Sequence, residues 1–453
     1  MKALGPERIV EVTGARVVRR GAGGHPSRAL IDSREAGSGD LFFGLRGDFA
    51  DGGEFAPAAL AAGAWGVVVE AASAATLEGE GGGGWVFAVA DPLVALGALA
   101  RAWRRELGAR VVGITGSVGK TSVKDIARTL IPGRVHANEE NFNTEIGLPL
   151  TVLAAPEGTD VMVLEMAMRG SGQIAELAQI AEPDVAVITN IGPVHVELLG
   201  SVEAIAAAKA EILGFLPARG AAVVPADAGV LEPHLSAAPR LVRFGEGGDV
   251  SASGVIATPG GLEARISAGE ESEIFRFPFS EAHNLENALA AIGAGVALGI
   301  PLARMSRGSA DIGFSRLRGE RLELGDGIVL VNDCYNANPV SMRAALDHLA
   351  SVEAPRRLAV LGEMGELGPG SAAYHRGVGK HAREVAVDMV IGVGEPARDY
   401  DPDELVATPQ EAADLLAAQL NPGDVVLVKG SRSAGLEAVA DELTEILDSK
   451  GSS

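Results

Sequence analysis

The stretch GITGSVGKTS, residues 113–122, decides how the rest of the chain is read. It follows the apolar residues ARVV and precedes VKDIARTL, which predicts a strand, a loop at 116–119 and a helix starting at Lys120 or Thr121. In that setting Gly116 and Gly119 let backbone N–H groups approach phosphate oxygens, and the helix N-terminus adds partial positive charge. Lys120 is then placed to neutralise the β- and γ-phosphates, and the Thr121 hydroxyl to bind Mg2+. The pattern is one residue short of the full phosphate-loop spacing, because Ile114 stands where a glycine is expected. The nucleotide-contacting candidates are Thr115, Gly116, Ser117, Val118, Gly119, Lys120, Thr121 and Ser122.

Outward from this loop, strand-like runs return as VMVLEM (161–166) and VAVITNIG (185–192), separated by helical stretches such as SVEAIAAAKAEILGFL. Alternation at this spacing predicts an α/β fold with a mostly parallel sheet covered on both faces, its carboxyl edge carrying the chemistry. Before it, residues 1–88 form a small α/β domain closing on the tract EGEGGGGW. After it, GFSRLRGERL breaks the pattern and a second βα series begins. The expected domains are 1–88, 89–313 and 314–453, within the range of about two to four that this length allows.

The chain has 453 residues and a formal charge of −22, which argues against nucleic-acid or anionic-membrane binding as its main business. A single cysteine, Cys334, excludes an internal disulfide and any cysteine-rich metal site. The N-terminus lacks a long apolar core behind a basic start, and no apolar run reaches about 18 residues. A cytoplasmic location without membrane insertion is expected.

Glu165 ends one predicted strand and His195 follows another, so both emerge at the edge where the phosphate loop lies, as a carboxylate and an imidazole able to share a divalent ion. Lys209 sits in the alanine-rich helix AAAKAEI. From spacing alone it reads as a helix-surface lysine paired with Glu211 or Glu203. The other reading is a desolvated amine, neutral enough to react with CO2 and become an anionic metal ligand.

The succession TGSVGKTS, NFNTEIGLPLTVL, VLEMAMRGSGQI, TNIGPVHVELLGS with AAAKAEI, and HNLENALAA resembles the ATP-dependent Mur ligases of peptidoglycan synthesis over nearly the whole chain. Three further segments, NDCYNANPVSMRAAL, LGEMGELGPGSAAYHRGVG and LVKGSRSAGLE, resemble the members that add D-alanyl-D-alanine to UDP-N-acetylmuramoyl-tripeptide. The resemblance implies three domains: a UDP-sugar-peptide domain, a central phosphate-loop ATPase and a C-terminal Rossmann-like domain. It also implies ATP, two Mg2+ ions and a CO2-derived carbamate on Lys209, which reverses the surface reading of that residue.

Carried over by position, Lys120, Glu165, His195 and Lys209 are the catalytic candidates, and Thr121, Glu165, His195 and Lys209 the metal ligands. Asn284 and Asn287 match asparagines near the adenine, Asp333 an aspartate at the ribose, and Arg318, chosen over Arg316 and Arg321, a nucleotide-contacting arginine. Ser33 and Arg34 match the uridine-nucleotide segment, in which Gly53 replaces the family's usual histidine. Tyr335, Asn336 and Asn338 fall between ATP and the dipeptide, and Lys429 and Ser431 in KGSRS are placed to reach phosphate or carboxylate from a strand end. His375 reads equally as a dipeptide-orienting group or as a helix-capping residue. The implied reaction joins the dipeptide amine to the tripeptide carboxylate through an acyl phosphate, releasing ADP and phosphate from a monomer. Rival readings are another ligase of this architecture, a folylpolyglutamate synthase, or a nucleotide-gated binding protein without turnover.

Overall fold

The computed structural model describes residues 1–451 apart from 48–49, 79–82, 140, 195 and 259. Three sheets follow one another along the chain. The first has five strands, in the order Arg16–Arg19, Trp85–Val89, Gly66–Glu70, Asp40–Phe43 and Arg28–Leu30. Only the Arg16–Arg19 strand runs antiparallel to its neighbour.

This sheet does not stand apart from the next domain. The helix Pro92–Leu107 starts three residues after the end of the strand Trp85–Val89, capped by Asp91, whose carboxylate accepts from the N–H groups of Leu93 and Val94 at 2.7 and 3.2 Å. It ends at Gly108, left-handed at φ 61°. Its buried face, Leu96, Leu99 and Trp103, shares one continuous apolar core with Phe43, Val68 and Phe87 on one side and Met162, Leu164 and Ile188 on the other. Burial of that shared surface fixes the first domain to the second.

The central sheet has nine strands. Its parallel part places Val185–Ile188, Arg110–Thr115 and Val161–Glu165 side by side, which are the three strands read from sequence. Sequence reasoning passed over the rest. Val250–Thr258, Gly261–Ala268 and Glu271–Phe277 form an antiparallel extension, with Leu262, Ala264 and Ile266 facing the core at alternate positions. Only Gly261–Ala268 alternates along most of its length; Val250–Thr258 is exposed from Ser253 onward and Glu271–Phe277 buries only Phe275 and Phe277, so none offers a continuous apolar run.

The third sheet has six strands, with Val329–Asn332, Val425–Lys429 and Arg357–Leu361 adjacent and parallel. Their carboxyl ends lead into loops 333–338, 430–433 and 362–368. The linker between the second and third sheets crosses residues 312–319. Among the described residues no helix is long and apolar enough to cross a membrane.

Candidate active site

The phosphate loop needs its glycines for contact as well as backbone conformation. Gly116 has φ 146° and Gly119 φ 82°, and a Cβ on either would collide, with Thr189 Oγ1 at the first and Asn287 Oδ1 at the second. The neighbouring strand end pins the loop from the side. Ser117 N–H donates to Asn190 O at 3.0 Å, Val118 N–H donates to Asn190 Oδ1 at 2.9 Å, and Ser117 Oγ accepts from Gly192 N–H at 2.9 Å. Thr121 then begins the helix Lys120–Leu130 with its hydroxyl donating to Glu165 Oε2 at 2.7 Å. Glu165 is 2% exposed, and its other oxygen accepts from Asn143 Nδ2 at 2.8 Å.

Lys120 and Lys209 converge on a single acceptor. Lys120 Nζ donates to Gly116 O at 2.9 Å and Lys209 Nζ donates to the same oxygen at 2.8 Å. Lys209 is 2% exposed, so the surface reading fails; the carboxylate of Glu211 instead accepts from Gly172 and Ala175 N–H groups. Burial pushes the Lys209 amine well below the usual lysine range, and the nearby Lys120 charge adds to the effect. Lys120 is also lowered by burial, with Glu165 opposing and Arg318 assisting. A neutral amine is the form that reacts with CO2, so the environment of Lys209 suits a carbamate.

His195 lies outside the described residues. Among the described residues no three His, Cys, Asp or Glu side chains come together as a metal-binding group. The Thr121 hydroxyl and the Glu165 carboxylate are hard oxygen donors that fit Mg2+ at a phosphate site. A carbamate on Lys209 would add a third donor.

A cleft of about 1480 Å³ separates the central and third domains. Its walls include Ser117, Val118, Gly119, Lys120, Thr121, Ser122, Glu165, Asn284 and Asn287 on one side, and Arg318, Asp333, Tyr335, Asn336, Asn338 and Lys429 on the other. Thr115, Gly116 and Lys209 lie beneath this wall rather than in it. Asn287 Nδ2 donates to Asn284 Oδ1 at 3.2 Å, one turn apart on the helix Ala282–Ala297. The Arg318 guanidinium lies 4.0 Å from the centre of the Tyr335 ring, and Arg316 also reaches the cleft.

Four candidates have settings that sequence did not reveal. Lys429 donates to Asp333 Oδ2 at 2.6 Å, to Asp333 O at 3.3 Å and to Asn336 O at 3.0 Å, which ties the 333–338 loop to its strand. Asn338 caps the helix Pro339–Ser351, its Oδ1 accepting from Val340 and Ser341 N–H groups at 3.1 and 3.0 Å. Ser33 and Arg34 lie in the first domain, away from the cleft walls, with Arg34 paired to Asp32 at 2.5 Å. At Gly53 a Cβ would run into Ser73 Oγ, so the hydroxyl already occupies the side-chain direction there.

Two residues resolve as architectural. His375 is 1% exposed, and its Nε2 accepts from Met364 N–H at 3.0 Å, holding the 362–368 loop. Burial pushes the Cys334 thiol up to about 12, with the Glu437 and Asp333 charges adding, so no thiolate nucleophile is at hand. Asn138, Asn143, Thr189 and Asn190 were missed by sequence reading, although for Asn143 and Asn190 the asparagines of NFNTEI and ITNIG were the available signal.

The family of the Mur ligase middle domain matches residues 114–295, and that of the Mur ligase glutamate ligase domain matches 317–432. The chain belongs to the Mur ligase family. Within it, the chain is 38% identical over 431 residues to the UDP-N-acetylmuramoyl-tripeptide--D-alanyl-D-alanine ligase of Synechocystis sp., covering 91% of this chain and 90% of that one. Its fold superimposes on MurF from Acinetobacter baumannii with a TM-score of 0.90, at 28% identity and covering 98% and 99% of the two chains. MurF ligase from Thermotoga maritima, solved in complex with ADP, gives 0.83 at 30% identity, covering 93% and 98%.

A lysine whose folded-state pKa is depressed binds fewer protons folded than unfolded at any pH between the two values. Raising pH through that window, up to about 10.4 for the unfolded lysine, therefore stabilises the fold. Relative to a Lys209→Met variant, the melting temperature of the wild type should climb from neutral pH towards pH 10. Parallel profiles for the two proteins would contradict the buried-amine description.

Proposed function

We propose that this protein is an ATP-dependent amide ligase that joins D-alanyl-D-alanine to UDP-N-acetylmuramoyl-tripeptide, releasing ADP and phosphate, in the cytoplasmic synthesis of peptidoglycan precursors. The observation that carries the reading is the cluster of Lys120, Lys209, Thr121 and Glu165 around one loop at the wall of an interdomain cleft. Full-length similarity to ligases of this specificity supports the substrates.

A free carboxylate is too poor an acyl donor for an amine. The terminal carboxylate of the tripeptide accepts the γ-phosphoryl group of ATP, and the resulting acyl phosphate is attacked at carbon by the dipeptide amine. The tetrahedral adduct collapses to an amide and expels phosphate. Lys120 and the loop N–H groups stabilise the charge on the moving phosphoryl group. Two Mg2+ ions would neutralise phosphate charge, held by Thr121, Glu165, His195 and the Lys209 carbamate. That carbamate forms when the neutral Lys209 amine adds to CO2 and releases a proton. Asn284, Asn287, Asp333 and Arg318 hold the nucleotide. Tyr335, Asn336 and Asn338 shape the dipeptide side, where Lys429 acts by fixing their loop. Ser33 and Arg34 meet the uridine nucleotide. The enzyme works as a monomer, and closure of the cleft aligns the three substrates and keeps water out.

Phosphate release from ATP and UDP-N-acetylmuramoyl-tripeptide should require D-alanyl-D-alanine, with a product heavier by one dipeptide unit in mass spectrometry. Turnover with a different amino acid, or none, would remove the acceptor assignment. Lys209→Ala should lose most activity and regain part of it with a small added carboxylate that fills the carbamate's place. An undiminished Lys209→Ala variant would overturn the carbamate role.

A further inference from the structure

A chain of polar contacts runs from the interdomain linker to the backbone of Glu165. At the linker, Ser315 N–H and Oγ–H both donate to Asp125 Oδ2, at 2.9 and 2.8 Å. Asp125, 8% exposed, sits on the phosphate-loop helix beside Lys124, whose Nζ lies 3.4 Å from Asp125 Oδ1. Lys124 is 2% exposed and donates to Asn138 O at 3.0 Å. Asn138, 1% exposed, grips the backbone of Glu165 from both sides. Its Oδ1 accepts from Glu165 N–H at 2.6 Å, and its Nδ2 donates to Glu165 O at 3.2 Å.

The linker end of this chain has the form of a hinge. Ser315 is anchored to the central domain through Asp125, while Leu317 O, two residues later, accepts from Tyr335 N–H of the third domain at 3.1 Å. Leu317 itself has φ 62°, a left-handed conformation that a branched side chain adopts only under constraint. The next residue is Arg318, stacked on Tyr335 at the cleft. Residues 315–317 thus join Asp125 of the central domain to Tyr335 of the third domain.

We propose that Asp125, Lys124 and Asn138 are positioning residues that couple the hinge at Ser315 to the Glu165 carboxylate, so that the placement of the third domain sets the divalent-metal affinity of the site. The proposal rests on Glu165 being a metal ligand. A buried cation held between one carboxylate and one carbonyl transmits a displacement because neither partner has water to exchange for it. Coupling of this kind is reciprocal, so metal binding in turn biases the hinge.

The test uses the full chain with ADP and Mn2+, reading free Mn2+ by electron paramagnetic resonance. Asp125→Ala should weaken Mn2+ binding by about tenfold, as loss of a group supporting a metal ligand does. Ser315→Ala, on the far side of the chain of contacts, should weaken it by about threefold, and the double variant should bind no more weakly than Asp125→Ala alone. Asp125→Asn, which keeps an acceptor for Ser315, should recover part of the loss. In the metal-free protein, hydrogen exchange at the Glu165 amide should quicken in both single variants, which reads the same contacts without any metal. Unchanged Mn2+ affinity and unchanged Glu165 exchange in Ser315→Ala would overturn the coupling. Should Glu165→Gln bind Mn2+ as the wild type does, the metal-ligand reading itself falls, and the coupling with it.

Discussion

The carbonyl oxygen of Gly116 accepts from two lysine side chains, Lys120 and Lys209, and most of the site follows from that. Burial holds both lysines below their usual pKa range, and the Lys120 charge adds to the effect at Lys209. The arrangement is relieved by anions, either phosphate arriving at the loop or an amine turned into a carbamate. The carbonyl can serve both lysines only because the loop is held open by glycine conformations at 116 and 119 and clamped laterally by Thr189 and Asn190. Those clamps come from the strand end next door, so the order of three parallel strands is a precondition for the chemistry.

The third domain repeats the device on the opposite wall of the cleft. Its own parallel strands deliver loops 333–338, 362–368 and 430–433 to one edge, laced by Lys429, Ser431 and His375. Polar contacts cross between the domains, Arg169 to Glu366 at 3.8 Å and His348 to Glu281 at 3.5 Å, all four residues lining the cleft. The Arg169–Glu366 pair is exposed and contributes little to stability, which suits an interface that opens and closes. The linker therefore carries the mechanical connection, through Asp125 on one side and Tyr335 on the other.

Much of this was legible in the chain because the relevant signals are local. A glycine turn between a strand and a helix, and an acidic residue ending an apolar run, can each be read within ten or so residues, and Thr121 and Glu165 do meet. Lys209 is different: its partner is 93 residues away, so spacing could not separate a buried amine from a surface one. The same limit hid Asn138, whose grip on Glu165 spans 27 residues, and the role of Lys429, whose partners are 93 and 96 residues distant. The antiparallel extension at 250–277 was missed because its three strands are mixed with polar residues and only partly buried, so no continuous apolar run marks them. Ser33 and Arg34 were placed by resemblance alone, and they sit in a different domain from the cleft.

The central claim is that a substrate carboxylate, and not water, receives the phosphoryl group at this loop. Tripeptide carrying 18O in its terminal carboxylate tests it directly, with the isotope content of released phosphate read by mass spectrometry. Attack of that carboxylate on ATP, followed by amine attack on carbon, carries one labelled oxygen into each phosphate formed. The account predicts one 18O per phosphate under dipeptide-dependent turnover. Phosphate released with no label would mean that water is the acceptor, and the acyl-phosphate mechanism would be wrong.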